Sequence, residues 1–162
     1  ADFLIVCGTR NYHDNLNTYE KELDAALKLK LPFICANPDK VVIRQNGNLL
    51  ICAGKMAEYY QNNGGKVYSF GKPYSSAYEA SMKCLKKLRP DIKKEEILIV
   101  GDSLETDILG ANNFNIPSLL VASGIHNKDL LVNKKYLSDT KIKKLFAKNN
   151  SYPNFMIKEF IY

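Results

Sequence analysis

Ile97-Leu98-Ile99-Val100-Gly101-Asp102-Ser103-Leu104-Glu105-Thr106-Asp107 carries the strongest signal in the chain. Its aliphatic opening predicts a strand buried on both faces of a parallel sheet. Gly101 ends the run, where a residue without Cβ lets backbone and ligand approach closely. Asp102 then falls just past the carboxyl end of the strand, where open α/β sheets bind their ligands. Asp107 falls near the first turn of a helix predicted over residues 105–111, where the helix dipole favours negative charge. A carboxylate pair beside a strand end suits a hard cation such as Mg²⁺. Local capping, of a turn by Asp102 and of the helix by Asp107, also accounts for the two acids taken alone.

Downstream, residues 116–122 (Ile-Pro-Ser-Leu-Leu-Val-Ala) predict another buried strand, with Ser123-Gly124 as its loop. Lysine-rich helical stretches follow, then a loop over residues 149–153 and a final strand over residues 154–162. Upstream, Gly71-Lys72-Pro73 precedes a helix on which Tyr74, Tyr78, Met82, Leu85 and Leu88 form a core-facing set. Lys72 stands at the positive end of that helix's dipole, which is unfavourable unless an anion is bound there. Pro73 is expected in the first turn. Read singly, Lys72 is an ordinary surface lysine.

The first part of the chain repeats the alternation of strand and helix. Phe3-Leu4-Ile5-Val6-Cys7 reads as a strand. Asn15 or Asn17 can cap a helix bearing Leu16, Tyr19, Leu23, Ala26 and Leu27 on one face. Pro32 to Ala36 is the next strand, and Asn37-Pro38-Asp39 makes a turn at its carboxyl end, where a ligand could meet it. Val41–Ile43 and Leu49–Cys52 flank Asn46-Gly47-Asn48 as a hairpin. A helix over residues 54–63 closes at Gly64-Gly65, and residues 66–70 form a short strand. The chain opens almost inside a core-like strand and without an initiator Met, so a preceding segment is expected.

Composition narrows the class. At 162 residues, 46% hydrophobic and 25% charged, the chain has the balance of a globular protein. No apolar run has the length of a membrane span, and the N-terminus lacks a signal-peptide pattern. Cys7, Cys35, Cys52 and Cys84 include no Cys-x-x-Cys pair for zinc, and the first three follow apolar residues. Buried free thiols and a cytoplasmic location are expected. The net charge of +6, from 23 basic and 17 acidic residues, comes without a nucleic-acid-binding module. Neither a nucleic acid nor a membrane is expected as partner, although the charge can attract anionic substrates.

Gly101-Asp102-Ser103-Leu104 spells the signature of the GDSL esterases, in which the serine is a nucleophile activated by histidine. That family places the nucleophile strand early and its histidine in an Asp-x-x-His segment. Here the strand comes late, Ser123 stands three before His126, and Arg10 stands three before His13. The tetrapeptide is read as coincidence.

A second resemblance uses several stretches in order. Ala36-Asn37-Pro38-Asp39, Gly71-Lys72-Pro73 and Gly101-Asp102 with Thr106-Asp107-Ile108 together resemble the haloacid dehalogenase (HAD) superfamily. The subfamily implied is its phosphatases with a large α/β cap, including 4-nitrophenyl phosphatase-like and nucleotide or pyridoxal phosphate phosphatases. Ala53-Gly54 and Leu120-Val121-Ala122-Ser123-Gly124 fit the same pattern, which runs from near residue 1 to about residue 127. The resemblance implies an α/β fold: part of an α/β cap over residues 1–70, then part of a Rossmann-like core over residues 71–162.

It also implies roles. Lys72 matches the lysine that stabilises the phosphate and the charged nucleophile. Asp102 matches the acid that coordinates Mg²⁺, and Asp107 the second acid that supports the metal site. Asn37 and Asp39 match a cap loop that faces the active site and bears on substrate choice. Such roles suit phosphoryl transfer from a small phosphorylated metabolite, in which positioning and neutralisation of charge do most of the work. The family's nucleophile lies in an N-terminal Asp-x-Asp segment, and Asp2-Phe3-Leu4 does not match it. The resemblance therefore implies the C-terminal portion of a phosphatase, inactive alone, with Mg²⁺ bound weakly or not at all, and paired with a missing N-terminal half or with itself. The alternative is a non-enzymatic product, split or degenerate, that serves as a binding or scaffold module.

Overall fold

The computed structural model describes residues 1–43, 48–133, 135–136 and 138–161. They form two compact units, Ala1–Tyr74 and Ser75–Tyr162.

In the first unit the elements are β1 (Leu4–Val6), α1 (Asn17–Lys28), β2 (Phe33–Cys35), β3 (Val41–Ile43), β4 (Leu49–Ile51), α2 (Ala53–Asn62) and β5 (Val67–Ser69). Three strands make a parallel sheet in the order β1-β2-β5, with Leu4 opposite Phe33 and Phe33 opposite Val67. Side chains alternate across a strand, so Phe33 and Cys35 point together to one face. Both are fully buried there, under Tyr19, Leu23 and Ala26 of α1 and Met56, Ala57 and Tyr60 of α2. Burying a side chain such as Phe33 contributes about 1.5–3 kcal/mol. Tyr60 adds a tilted ring contact to Phe33 and donates its hydroxyl to the Leu31 carbonyl at 2.6 Å. Ile5 and Tyr68, of the other parity, stay exposed.

The expected hairpin is present as the antiparallel pair β3 and β4, while Asn46 and Gly47 of its expected turn lie outside the described residues. The cap expected at α1 is not made. Leu16 holds the cap position, and the Asn15 side chain is engaged by the Thr18 hydroxyl. Cys7 is exposed, whereas Cys35 and Cys52 are buried and all four thiols are free. A cysteine that follows β1 lies beyond the strand's buried parity, so apolar neighbours in sequence do not bury it.

The second unit comprises α3 (Ser75–Leu88), β6 (Ile99–Gly101), a π-turn (Leu104–Ile108), α4 (Leu109–Phe114), β7 (Ser118–Val121), α5 (Asn127–Leu130), β8 (Leu131–Val132), β9 (Lys135–Tyr136), α6 (Asp139–Asn149) and β10 (Phe155–Ile157). Its parallel sheet runs β10-β7-β6. The core gathers Leu104 and Ile108 of the π-turn, Leu120 and Ala122 at the end of β7, Leu130 of α5 and Ile142 of α6.

Five expectations change here. The Ile97–Val100 strand is not buried on both faces: β6 is an edge strand, and Leu98 and Val100 are 47% and 43% exposed. The helix predicted over residues 105–111 is a π-turn that continues into α4. Of the five residues assigned to the core face of α3, only Tyr78 is buried, because α3 is anchored through the Tyr78 ring stacked on Phe114 at 5.4 Å. Pro73 lies in the turn ahead of α3 and outside the helix, after a cis Lys72–Pro73 peptide. The last strand is also short, spanning only Phe155–Ile157 of the nine residues expected. No helix among the described residues is long and apolar enough to cross a membrane.

Candidate functional site

Asp102 and Asp107 are brought together at the carboxyl end of β6. The Asp107 Oδ2 atom accepts the backbone N–H of Asp102 at 3.2 Å and that of Ser103 at 3.1 Å. Asp107 is buried and Asp102 is exposed. The helix cap assigned to Asp107 in the simplest reading belongs to Ser103, whose hydroxyl accepts Thr106 N–H at 3.2 Å. Asp107 thus ties the loop from within and leaves the Asp102 carboxylate facing outward.

Two glycines permit this packing. A Cβ on Gly101 would collide with the Asp107 carboxylate, and one on Gly124 would collide with the side chain of Asp102. Close backbone approach of this kind is the physical use of glycine. Behind the loop, Tyr78 is buried with its hydroxyl 3.5 Å from the carbonyls of Thr106 and Asp107. Burial, reinforced by the Asp107 charge, pushes its phenol up to about 12.

The segment after β7 closes on the same loop. Ile125 N–H donates to Asp102 Oδ2 at 3.0 Å, and Leu104 N–H donates to His126 Nε2 at 3.2 Å. Ser151, fully buried, donates its hydroxyl to the Leu104 carbonyl at 2.7 Å. These contacts do not form an esterase dyad. The Ser103 hydroxyl is a cap acceptor, and the basic nitrogen of His126 is already occupied by an amide. Sequence reasoning weighed His126 only as a catalytic base and passed over Ile125 and Ser151, since a bond to backbone leaves no spacing pattern.

The first unit holds Asn37, Asp39 and Lys72. Asn37 Oδ1 accepts Asp39 N–H at 3.3 Å, a turn closed by the side chain itself. The turn is seated on α2, where Gly54 N–H donates to the Asp39 carbonyl at 3.1 Å. A Cβ on Gly71, the residue before Lys72, would stand 3.0 Å from Pro38 Cδ. The Asn37-Pro38-Asp39 turn and the Gly71 turn therefore meet at the carboxyl ends of β2 and β5, with Asn37 and Asp39 half-buried and Lys72 exposed. Below them the Cys35 thiol is pushed up, chiefly by burial.

For a divalent cation, Asp102 offers one outward carboxylate of the hard-oxygen type that Mg²⁺ takes. Among the described residues no group of three or more histidines, cysteines or acids is placed to hold a metal. One carboxylate is fewer oxygen ligands than such an ion takes.

The chain has relatives among known proteins. The HAD-hydrolase-like family matches residues 69–145, which include Lys72, Asp102 and Asp107. Ribonucleotide monophosphatase NagD of Escherichia coli K12 is 30% identical over 128 residues, covering 79% of this chain and 47% of the enzyme. A haloacid dehalogenase-like hydrolase from Brucella suis superposes with a TM-score of 0.79 at 30% identity, over 99% of this chain and 56% of that one. A double mutant of the thermostable NPPase from Geobacillus stearothermophilus gives a TM-score of 0.61 at 25% identity, over 98% and 53%. The chain spans about half the length of these relatives. Parallel sheets flanked by helices and this set of likenesses point the same way: residues 69–145 match the HAD-hydrolase-like family, and the chain resembles the haloacid dehalogenase superfamily and, within it, the phosphatases.

Proposed function

We propose that these 162 residues are the C-terminal portion of a Mg²⁺-dependent phosphatase. In its full-length parent it would hydrolyse a small phosphorylated metabolite through an aspartyl-phosphate. The observation that carries this reading is the division of labour between the two acids: Asp107 is buried and holds the loop amides, while Asp102 is presented outward at the strand end. The name of the Escherichia coli relative, a ribonucleotide monophosphatase, points to a phosphomonoester as the substrate class.

In this reading residues 1–70 contribute to a cap and residues 71–162 to the core. Asp102 holds the cation, which when bound supplies positive charge against the phosphoryl oxygens. Asp107 keeps Asp102 aimed. Lys72 neutralises charge on the phosphate and on the attacking carboxylate. Asn37 and Asp39 shape the choice of substrate. The location proposed is the cytoplasm, with neither nucleic acid nor membrane as partner.

No carboxylate of these residues matches the attacking acid, so the 162-residue chain by itself is proposed to be inactive and to bind Mg²⁺ weakly. Exposed apolar residues on β1 and β6 (Ile5 and Val100) favour pairing with a missing half or with a second copy. The same exposure is what a binding or scaffold module would show, which keeps the non-enzymatic alternative as the second reading. The discriminating experiment is complementation: the chain is mixed with a separately made Asp-x-Asp segment, and hydrolysis of 4-nitrophenyl phosphate is followed with Mg²⁺. Turnover that needs both parts supports the phosphatase. A stable complex without turnover supports the module.

A further inference from the structure

Leu104 is held by both of its peptide groups. Its N–H donates to His126 Nε2 at 3.2 Å, and its carbonyl accepts from Ser151 Oγ at 2.7 Å. Leu104 and Ser151 are fully buried, and His126 is 9% exposed. The same carbonyl accepts Leu109 N–H, the bond that closes the π-turn. Such turns recur at functional sites, where they re-aim a segment of backbone. His126 Nε2 can accept only when the ring proton sits on Nδ1, and Asp129 Oδ2 lies 3.6 Å from that nitrogen. One residue earlier, Ile125 N–H reaches the Asp102 carboxylate. Residues 125 and 126 therefore grip the 102–104 loop twice, once by its side chain and once by its backbone.

We propose that His126 is a positioning residue for the Asp102 site: by accepting the Leu104 amide, its Nε2 fixes the direction in which Asp102 leaves the end of β6. The inference rests on the phosphatase reading above. Only a few soft backbone torsions separate Asp102 from Leu104, so pinning the Leu104 peptide restricts them directly. Partners beyond the ligating atoms commonly set metal affinity in this way, by orienting the group that does the binding. His126 touches neither cation nor substrate in this scheme, and it needs no proton transfer to act.

The test compares His126→Gln, whose Oε1 can replace Nε2 as acceptor, with His126→Leu, which keeps bulk and removes the acceptor. Mg²⁺ is titrated into the chain while backbone amide resonances of residues 101–104 are followed. Hydrogen exchange of the Leu104 amide is measured without metal. His126→Leu is expected to weaken Mg²⁺ binding about tenfold and to expose the Leu104 amide, with His126→Gln restoring affinity to within about threefold. Equal affinity in wild type and His126→Leu overturns the inference and leaves the phosphatase reading standing. Where the wild type shows no Mg²⁺-dependent shift, hydrogen exchange decides: a Leu104 amide equally protected in wild type and His126→Leu overturns the inference. Should His126→Leu fail to fold, His126→Asn replaces it, because its shorter amide stops short of Leu104. Affinity below that of His126→Gln is then expected, and equal affinity overturns the inference.

Discussion

A single oxygen of Asp107 accepts the backbone amides of both Asp102 and Ser103, so the buried acid sets the loop that presents the exposed one. Substitutions at the two acids should therefore separate stability from binding. Asp107→Ala leaves two amides without their acceptor, and an unsatisfied buried group costs about 1–3 kcal/mol. Asp102→Asn removes an exposed charge and should change stability by less than about 0.5 kcal/mol, yet it should abolish the Mg²⁺ response. Urea unfolding and calorimetric titration read the two effects. Tight Mg²⁺ binding that survives Asp102→Asn would remove Asp102 from the metal site.

Tyr78 predicts an alkaline weakness. Burial raises its phenol from 10.0 to about 12. Between those values the folded chain keeps a proton that the unfolded chain releases, so stability falls as pH rises through this window. A two-unit shift corresponds to about 2–3 kcal/mol once the loss is complete near the upper value. Tyr19, Tyr59, Tyr60 and Tyr136 are shifted in the same direction and add to the slope. Between mildly and strongly alkaline pH the denaturant midpoint of the wild type should fall relative to that of Tyr78→Phe, because only the wild type must keep this phenol protonated to stay folded. An unchanged difference between the two proteins across that range would show that the phenol is not buried in solution.

The edge of the second sheet predicts association. Among the described residues β6 has a neighbour only on the β7 side, and Leu98 and Val100 remain exposed. Unpaired apolar edges recruit other strands unless a charge interrupts them. The chain should sediment as a concentration-dependent mixture or a complex, and Val100→Lys should shift it toward the monomer. A monodisperse, cooperatively folded monomer at high concentration, unaffected by this substitution, contradicts the expectation.

Much of the architecture is visible in the residues themselves, because Phe33, Cys35 and Leu120 announce strands while Tyr19, Leu23 and Ala26 announce a helix face. The acid pair is visible for a different reason, since Asp102 and Asp107 lie close in sequence beside one strand end. What stays hidden depends on long-range partners. An aliphatic run reads alike in a central strand and at an edge, so the exposure of Leu98 and Val100 has no local sign. Ser103 and Asp107 both suit a helix start, and only the geometry assigns the cap to one and the loop amides to the other. The grip of His126 and Ser151 on Leu104 joins residues 22 and 47 apart in sequence. Side chains that bond backbone carry no spacing motif.

Catalysis supplies the last prediction. The 162-residue chain should not hydrolyse 4-nitrophenyl phosphate with Mg²⁺ above background. In the proposed reading Lys72 and Asp102 neutralise charge, and electrostatic stabilisation of that kind contributes several kcal/mol. It does not provide the covalent route that divides hydrolysis into two easier steps, which needs an attacking carboxylate. Adding the Asp-x-Asp segment should restore turnover if the parts assemble, and Lys72→Ala or Asp102→Asn should remove it again. Ser103→Ala should matter little to the chemistry, since its hydroxyl caps the π-turn and His126 Nε2 is occupied by the Leu104 amide. Hydrolysis by the isolated chain that survives Asp102→Asn but is lost in Ser103→Ala would replace the phosphatase with a serine esterase. The geometry opposes that outcome, because activating Ser103 would require breaking both the cap and the amide bond to His126.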